Sequence, residues 1–181
     1  MTEPDVERVL LSRERIETRV CELAGEIAAV YGDGEIVAVG VLTGAFVFLA
    51  DLVRHLPNRV RFSFLKADSY ATGTYPGALS VTLVGETDLS GRDVLVVEDI
   101  LDTGRTLEGI LGILRRRGPR TLRTVVLLDK VSRREVAISA DFVGFPVPDA
   151  FLVGYGLDHA QRYRNLPYVG VLRSEAAGKS S

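Results

Sequence analysis

Two adjacent acids, Glu98 and Asp99, stand before a short polar loop whose residue types suit a sugar phosphate and magnesium. The apolar run 94–97 precedes them and fits a buried parallel strand. After the loop, apolar residues recur at the spacing of an amphipathic helix over 105–117. The loop is therefore predicted at the carboxyl end of a strand and the start of a helix, where backbone N–H groups and the helix dipole can bind a phosphate.

The loop supplies the other groups that such a site needs. Its threonines offer hydroxyl donors, its arginine is a cation, and its glycine permits a close backbone approach. The acids are hard oxygen ligands that suit magnesium or ribose hydroxyls, and Asp102 is a spare carboxylate beside them. Neither the P-loop spacing nor the GxGxxG of a dinucleotide fold is present. The predicted binding residues are Glu98, Asp99, Asp102, Thr103, Gly104, Arg105 and Thr106.

This loop resembles the phosphoribosyl diphosphate (PRPP) motif of the type I phosphoribosyltransferases. Two later segments, 151–158 and 162–168, resemble the purine-binding end of the hypoxanthine-guanine phosphoribosyltransferases. The likeness covers nearly the whole chain and includes the turn at 40–46. Several separated motifs in the same order make it more specific than the PRPP loop alone, which many base specificities share.

The resemblance implies how the base is bound. Lys130 matches the lysine that donates to the purine 6-oxo group, and it favours 6-oxopurines because an ammonium cannot accept from the amino group of adenine. Phe151 matches the aromatic that stacks on the base, and Leu152 the residue whose backbone reads the base edge. Asp102 then becomes the catalytic residue, a general base or charge stabiliser at imidazole nitrogen seven.

The resemblance also implies a pyrophosphate site at the same end of the molecule. Asp158, at the purine-binding end, matches the carboxylate that holds a second magnesium against pyrophosphate, and Arg164 matches the arginine that binds pyrophosphate itself. Thr43 and Gly44 belong to the predicted pyrophosphate turn, although the family commonly has a lysine where this chain has Thr43. The family often has a cis peptide at this turn, a conformation that sequence does not reveal.

Two further groups follow from the resemblance. Ser69 and Tyr70 match a pair in a mobile hairpin loop that closes over the reaction centre and excludes water. The implied cofactor is Mg²⁺, held at one place by Glu98 and Asp99 and at a second by Asp158.

Length and composition bound these expectations. A chain of 181 residues predicts one domain, assigned to 1–173 with a core at about 35–140, a hood from the terminal segments and a flexible tail at 174–181. The net charge of −2 gives no bulk attraction to nucleic acid or anionic membrane. The single cysteine, Cys21, excludes a disulfide framework, and no apolar run reaches transmembrane length. We expect a cytoplasmic protein.

Alternating elements predict an α/β fold with a mainly parallel central sheet flanked by helices. The first helix is expected to begin at Ser12 and to bury a stripe of apolar residues. Strands are expected at 36–41, 60–66, 79–84, 122–128, 142–147 and 151–153, with a second helix ending near 56 and a long loop at 67–78. The predicted helix stripe consists of Ile16, Val20, Leu23, Ala24 and Ile27.

The expected function is purine salvage, by transfer of the 5-phosphoribosyl group from PRPP to hypoxanthine or guanine. Alternatives are a relative preferring xanthine, an enzyme acting on uracil or orotate, and a PRPP-sensing RNA-binding regulator. Arginines at 115–117 and Arg120 are the candidate RNA contacts, but cations are also favoured at a helix C-terminus. DNA and membrane partners are not expected, and the resemblance implies a homodimer or homotetramer.

Overall fold

The computed structural model describes residues 3–69, 79–84 and 87–178. Its larger sheet has six strands in the order β4-β3-β2-β5-β6-β7, and every neighbouring pair is parallel except the antiparallel β3–β4 hairpin. These strands are β2 (Ile36–Leu42), β3 (Val60–Ser69), β4 (Leu79–Val84), β5 (Asp93–Leu101), β6 (Thr121–Asp129) and β7 (Phe142–Pro146).

Helices cover both faces of this sheet, as the alternating pattern predicted. On one face, α1 (Arg13–Tyr31) and α2 (Phe46–His55) pack against side chains such as Leu95 and Val97. On the other face, α3 (Arg105–Arg115) packs against the intervening residues of β5. Because successive strand side chains point to opposite faces, the apolar runs of the central strands contribute to the cores on both sides of the sheet.

The first helix begins where the sequence predicted. The Ser12 hydroxyl accepts from the Arg15 backbone N–H at 3.4 Å, which makes Ser12 the N-cap of α1. The predicted stripe is buried. Within the described residues, no helix has the length and apolar character needed to cross a membrane.

A smaller antiparallel sheet forms a hood from the two ends of the chain. It has the order β1-β9-β8, with β1 at Val6–Leu11, β8 at Leu152–Val153 and β9 at Val169–Leu172. The first and last of these strands in the chain, β1 and β9, were not predicted as strands, although a hood from the terminal segments was. They pair with each other, Val6 opposite Leu172, and expose little of their apolar side chains on the inner face.

Three boundaries differ from the sequence expectation. Strand β3 continues to Ser69, so the first residues of the expected loop are paired with β4. Strand β5 continues through both acids to Leu101. The segment expected to be a flexible tail begins with a short helix, α4 (Ser174–Ala177), which follows β9 after Arg173, whose N–H donates to the Asp5 carbonyl at 2.9 Å.

Candidate active site

The two acids lie within strand β5, near its carboxyl end, rather than after the strand. Glu98 and Asp99 are both buried, and the Asp99 N–H donates to Oε1 of Glu98 at 3.3 Å. Burial, together with the negative charge of Asp99, raises the pKa of Glu98 well above its ordinary value. Among the described residues, no basic side chain forms an ion pair with either carboxylate, so the pair is suited to receive hydroxyl donors or a cation.

The predicted pyrophosphate turn packs directly against these acids. The Leu42–Thr43 peptide is cis, and Thr43 itself is exposed at the end of β2. At Gly44 there is no room for a side chain, because an added Cβ would lie 2.5 Å from Cγ of Asp99. A Cβ at Gly156 would in turn collide with the Gly44 carbonyl oxygen. These contacts bring the turn, the acids and the predicted purine-binding segment together.

The predicted phosphate loop, residues 102–106, leads into α3 as expected. Gly104 is the N-cap residue with a left-handed φ of 87°, and a Cβ there would meet Ile138 at 2.5 Å, so both its backbone conformation and its surroundings require glycine. Beside it, Nε of Arg105 donates to Glu135 at 2.5 Å. A cavity of about 280 Å³ opens over this loop, and its lining includes Glu98, Asp99, Asp102, Thr103, Gly104 and Thr106.

Asp102 faces two cations that come from the segment after β6. Nζ of Lys130 lies 3.8 Å from Oδ2 of Asp102, and Nε of Arg133 donates to Oδ1 at 3.2 Å. Lys130 is buried, and its backbone N–H donates to the Leu101 carbonyl at 3.0 Å. The structure thus brings together the predicted catalytic carboxylate and the predicted base-binding lysine.

Arg134 hydrogen-bonds to the backbone of the loop that carries Asp102, a role that was not predicted from the sequence. Arg134 donates to the carbonyl of Leu101 at 3.2 Å and also to the carbonyl of Asp102 and to the Asp129 carboxylate. The basic residues of the segment 130–134 were the sequence feature that could have indicated this role. These residues contact different partners, which their spacing in the sequence does not reveal.

The predicted base-stacking residue has an open face. Phe151 is 44% exposed, whereas neighbouring Leu152 is buried in β8. The ring of His159 stands nearly perpendicular to that of Phe151, with centroids 5.0 Å apart. This edge contact gives His159 a packing role beside Phe151.

Asp158, the predicted ligand of a second magnesium, is paired with Arg164, the predicted pyrophosphate-binding arginine. Nη2 of Arg164 lies 2.8 Å from Oδ1 of Asp158, and Nη1 donates to the Gly156 carbonyl at 2.7 Å. The other oxygen of Asp158 accepts from the Gln161 N–H at 2.9 Å. Arg164 is therefore held at the segment that touches Gly44.

The remaining predicted positions are only partly described. Ser69 ends β3, and Tyr70 lies outside the described residues. Among the residues that the structure describes, no three histidine, cysteine or acidic side chains converge on one point. The carboxylate pair at Glu98 still has the hard oxygens and excess negative charge that magnesium prefers, so a bound ion would need substrate oxygens to complete its shell.

The chain is similar to known phosphoribosyltransferases over nearly its whole length. The family model for the phosphoribosyl transferase domain matches residues 9–160. The hypoxanthine-guanine phosphoribosyltransferase of Bacillus subtilis is 46% identical over 174 residues, which cover 96% of this chain and 97% of that protein. The hypoxanthine phosphoribosyltransferase of Haemophilus influenzae is 45% identical, with 90% and 93% covered.

A solved structure of Trypanosoma cruzi hypoxanthine phosphoribosyl transferase superposes with a TM-score of 0.91 at 39% identity, covering 97% of this chain and 96% of that one. A hypoxanthine-guanine phosphoribosyltransferase from Bacillus anthracis gives a TM-score of 0.86 at 39% identity, with 93% and 98% covered. The chain therefore belongs to the hypoxanthine-guanine phosphoribosyltransferases, pentosyltransferases of purine salvage with the type I phosphoribosyltransferase fold.

Proposed function

We propose that this enzyme transfers the 5-phosphoribosyl group of PRPP to nitrogen nine of hypoxanthine or guanine, giving IMP or GMP and pyrophosphate. The observation that carries the assignment is the meeting of Asp102 with Lys130, 3.8 Å apart, at the edge of the phosphate loop. A buried ammonium and a carboxylate side by side complement the 6-oxo acceptor and the nitrogen-seven donor of a 6-oxopurine.

The same pair accounts for discrimination against adenine. Adenine would place an amino donor against Lys130, which has no acceptor, so the buried ammonium would gain no hydrogen bond from the base. Sites that reject a base by leaving a buried polar group unsatisfied discriminate strongly. Phe151, with its exposed ring, would stack on the base, and the backbone of Leu152 would contact the base edge.

The chain's own groups would bind PRPP at three points. The 5-phosphate would lie on the backbone from Asp102 to Thr106 at the start of α3. Glu98 and Asp99 would receive the ribose hydroxyls, and the Gly44 turn with Arg164 would bind pyrophosphate. Magnesium, when bound at Glu98 and Asp99 and against Asp158, would supply positive charge to the departing pyrophosphate.

In the reaction, the bond from the anomeric carbon to pyrophosphate breaks as nitrogen nine of the base bonds to that carbon. The proton on nitrogen seven then passes towards Asp102, whose carboxylate stabilises the positive charge on the imidazole ring. The backbone donors of the Gly44 turn and Arg164 stabilise charge on the leaving group.

Replacing Asp102 by asparagine tests this assignment. Asp102→Asn keeps the size of the side chain but cannot take the proton, so we expect turnover to fall by about 10²- to 10⁴-fold while PRPP affinity stays within a few fold. Turnover would be followed by pyrophosphate release and PRPP binding by calorimetry. Near-normal turnover in this variant would refute the role of Asp102.

The broader setting follows from the same resemblance. We expect a homodimer or homotetramer that acts in the cytoplasm, and the exposed Phe62 on β3, at 65% exposure, is a candidate for a subunit contact. Of the candidate RNA contacts, Arg120 is occupied within the chain, because its Nε donates to Asp93 at 2.9 Å, and the net charge of −2 gives no bulk attraction to RNA.

A further inference from the structure

A half-exposed arginine, Arg133, contacts carboxylates from two different loops of the candidate site. Its Nε donates to Oδ1 of Asp102 at 3.2 Å, and its Nη1 lies 3.7 Å from Oδ2 of Asp149. Asp102 belongs to the phosphate loop, whereas Asp149 stands two residues before Phe151, the predicted stacking residue. The Arg133 guanidinium therefore spans the loops that frame the purine site.

The two oxygens of Asp102 face different cations. Oδ1 accepts from Arg133, while Oδ2 faces Nζ of Lys130 at the longer distance of 3.8 Å. Under the proposed function, Lys130 turns to the 6-oxo group when the base arrives. Oδ2 is then free for the nitrogen-seven proton, and Oδ1 keeps its hydrogen bond to Arg133.

The backbone supports this division. Residues 131–133 form a single turn of 3₁₀-helix, and the Arg133 N–H donates to the Lys130 carbonyl at 3.0 Å. Lys130 is itself tied to the Leu101 carbonyl at 3.0 Å, so the main chain at Lys130 is fixed beside the loop that carries Asp102. The far end of the Arg133 side chain lies within ion-pair distance of Asp149, at 3.7 Å.

We propose that Arg133 is a positioning residue for the transfer step, which holds Asp102 by Oδ1 so that Oδ2 faces nitrogen seven of the base. This inference rests on the proposed function. Asp149 is the second anchor, because it orients the guanidinium from the opposite side. Arg133 needs no contact with substrate for this role, so its removal affects the rate of transfer more than the binding of PRPP.

Three variants and one control test the role of Arg133. We expect Arg133→Ala to lower kcat by about three- to tenfold, a modest effect because the pair is partly exposed and screened. The KM for PRPP should stay within about twofold. Arg133→Lys should restore at least half of the lost kcat, and Asp149→Asn should lower kcat in the same direction but less.

Arg123→Ala is the matched control, since Arg123 makes a similarly exposed ion pair with Asp141 at 3.1 Å, and it should leave kcat unchanged. Thermal unfolding of each variant checks that the fold persists. An active wild type with unchanged or increased kcat in Arg133→Ala overturns the positioning role alone. Equal losses in Arg133→Ala and Arg133→Lys, or parallel changes in kcat and the KM for PRPP, overturn it too. An inactive wild type overturns the proposed function itself.

Discussion

Replacing Glu98 by glutamine should stabilise the ligand-free protein while weakening its affinity for PRPP. Glu98 is buried beside Asp99, and both burial and that negative charge raise the pKa of Glu98. Because the folded-state pKa lies above the unfolded value of 4.5, the free energy of unfolding is highest below that value and falls as the pH rises towards the folded pKa. Glutamine removes this titration.

The size of the effect follows from proton linkage. One proton of difference between the folded and unfolded states changes the free energy of unfolding by about 1.4 kcal/mol per pH unit. Between pH 5 and pH 7 this gives a ceiling of about 2.7 kcal/mol, and relaxation around the buried amide reduces it to about 1–2 kcal/mol. For a chain of this size, the melting temperature of Glu98→Gln should exceed that of the wild type by about 2–8 °C at pH 7.

The assay is thermal unfolding at pH 5, 6 and 7 without ligand, repeated at pH 7 with magnesium and PRPP. Glu22→Gln is the control, because Glu22 is exposed on α1 and its loss should change stability by less than about 0.5 kcal/mol. Magnesium and PRPP together should stabilise the wild type more than Glu98→Gln. A variant that melts at or below the wild type at pH 7, or whose advantage does not grow with pH, refutes the reasoning.

Two further predictions concern the turn and the base. Gly44→Ala should reduce PRPP affinity by at least about tenfold. The new Cβ would lie 2.5 Å from Cγ of Asp99, so either the turn or that carboxylate must move. An unchanged dissociation constant in calorimetry would contradict the packing described for the turn. Phe151→Ala should raise the KM for hypoxanthine by about five- to tenfold with little change in the KM for PRPP, since an aromatic face and its edge contact with His159 are lost. Steady-state kinetics with each substrate varied in turn would check this prediction. Equal rises in both KM values would count against a stacking role.

The sequence revealed most about the parts of the molecule that are continuous in the chain. The strand, loop and helix around Gly104 were predictable because the apolar periodicity, the glycine and the polar groups are all local. The end of β5 was placed too early because two acids interrupt the apolar run. They remain in the strand because its backbone pairing with β6 continues to Leu101.

The parts that were missed depend on contacts between distant residues. Strand β1 pairs with β9, and Val6 lies opposite Leu172. The local sequence pattern of either strand does not predict this pairing. The contacts of Arg133 and of His159 likewise join separate loops. The residue types are compatible with an ion pair and a ring contact, but only the fold determines that Arg133 contacts Asp102 and that His159 contacts Phe151.

The central claim, a PRPP site completed by 6-oxopurine recognition, is tested most directly by one measurement on the wild-type enzyme. The purified protein would be given PRPP and magnesium with hypoxanthine, guanine, xanthine, adenine or uracil in turn, and both pyrophosphate and nucleotide product would be quantified. We predict equal amounts of pyrophosphate and IMP or GMP with hypoxanthine or guanine, and no nucleotide with adenine or uracil. Comparable turnover of adenine, or no pyrophosphate release with either hypoxanthine or guanine, would contradict the account.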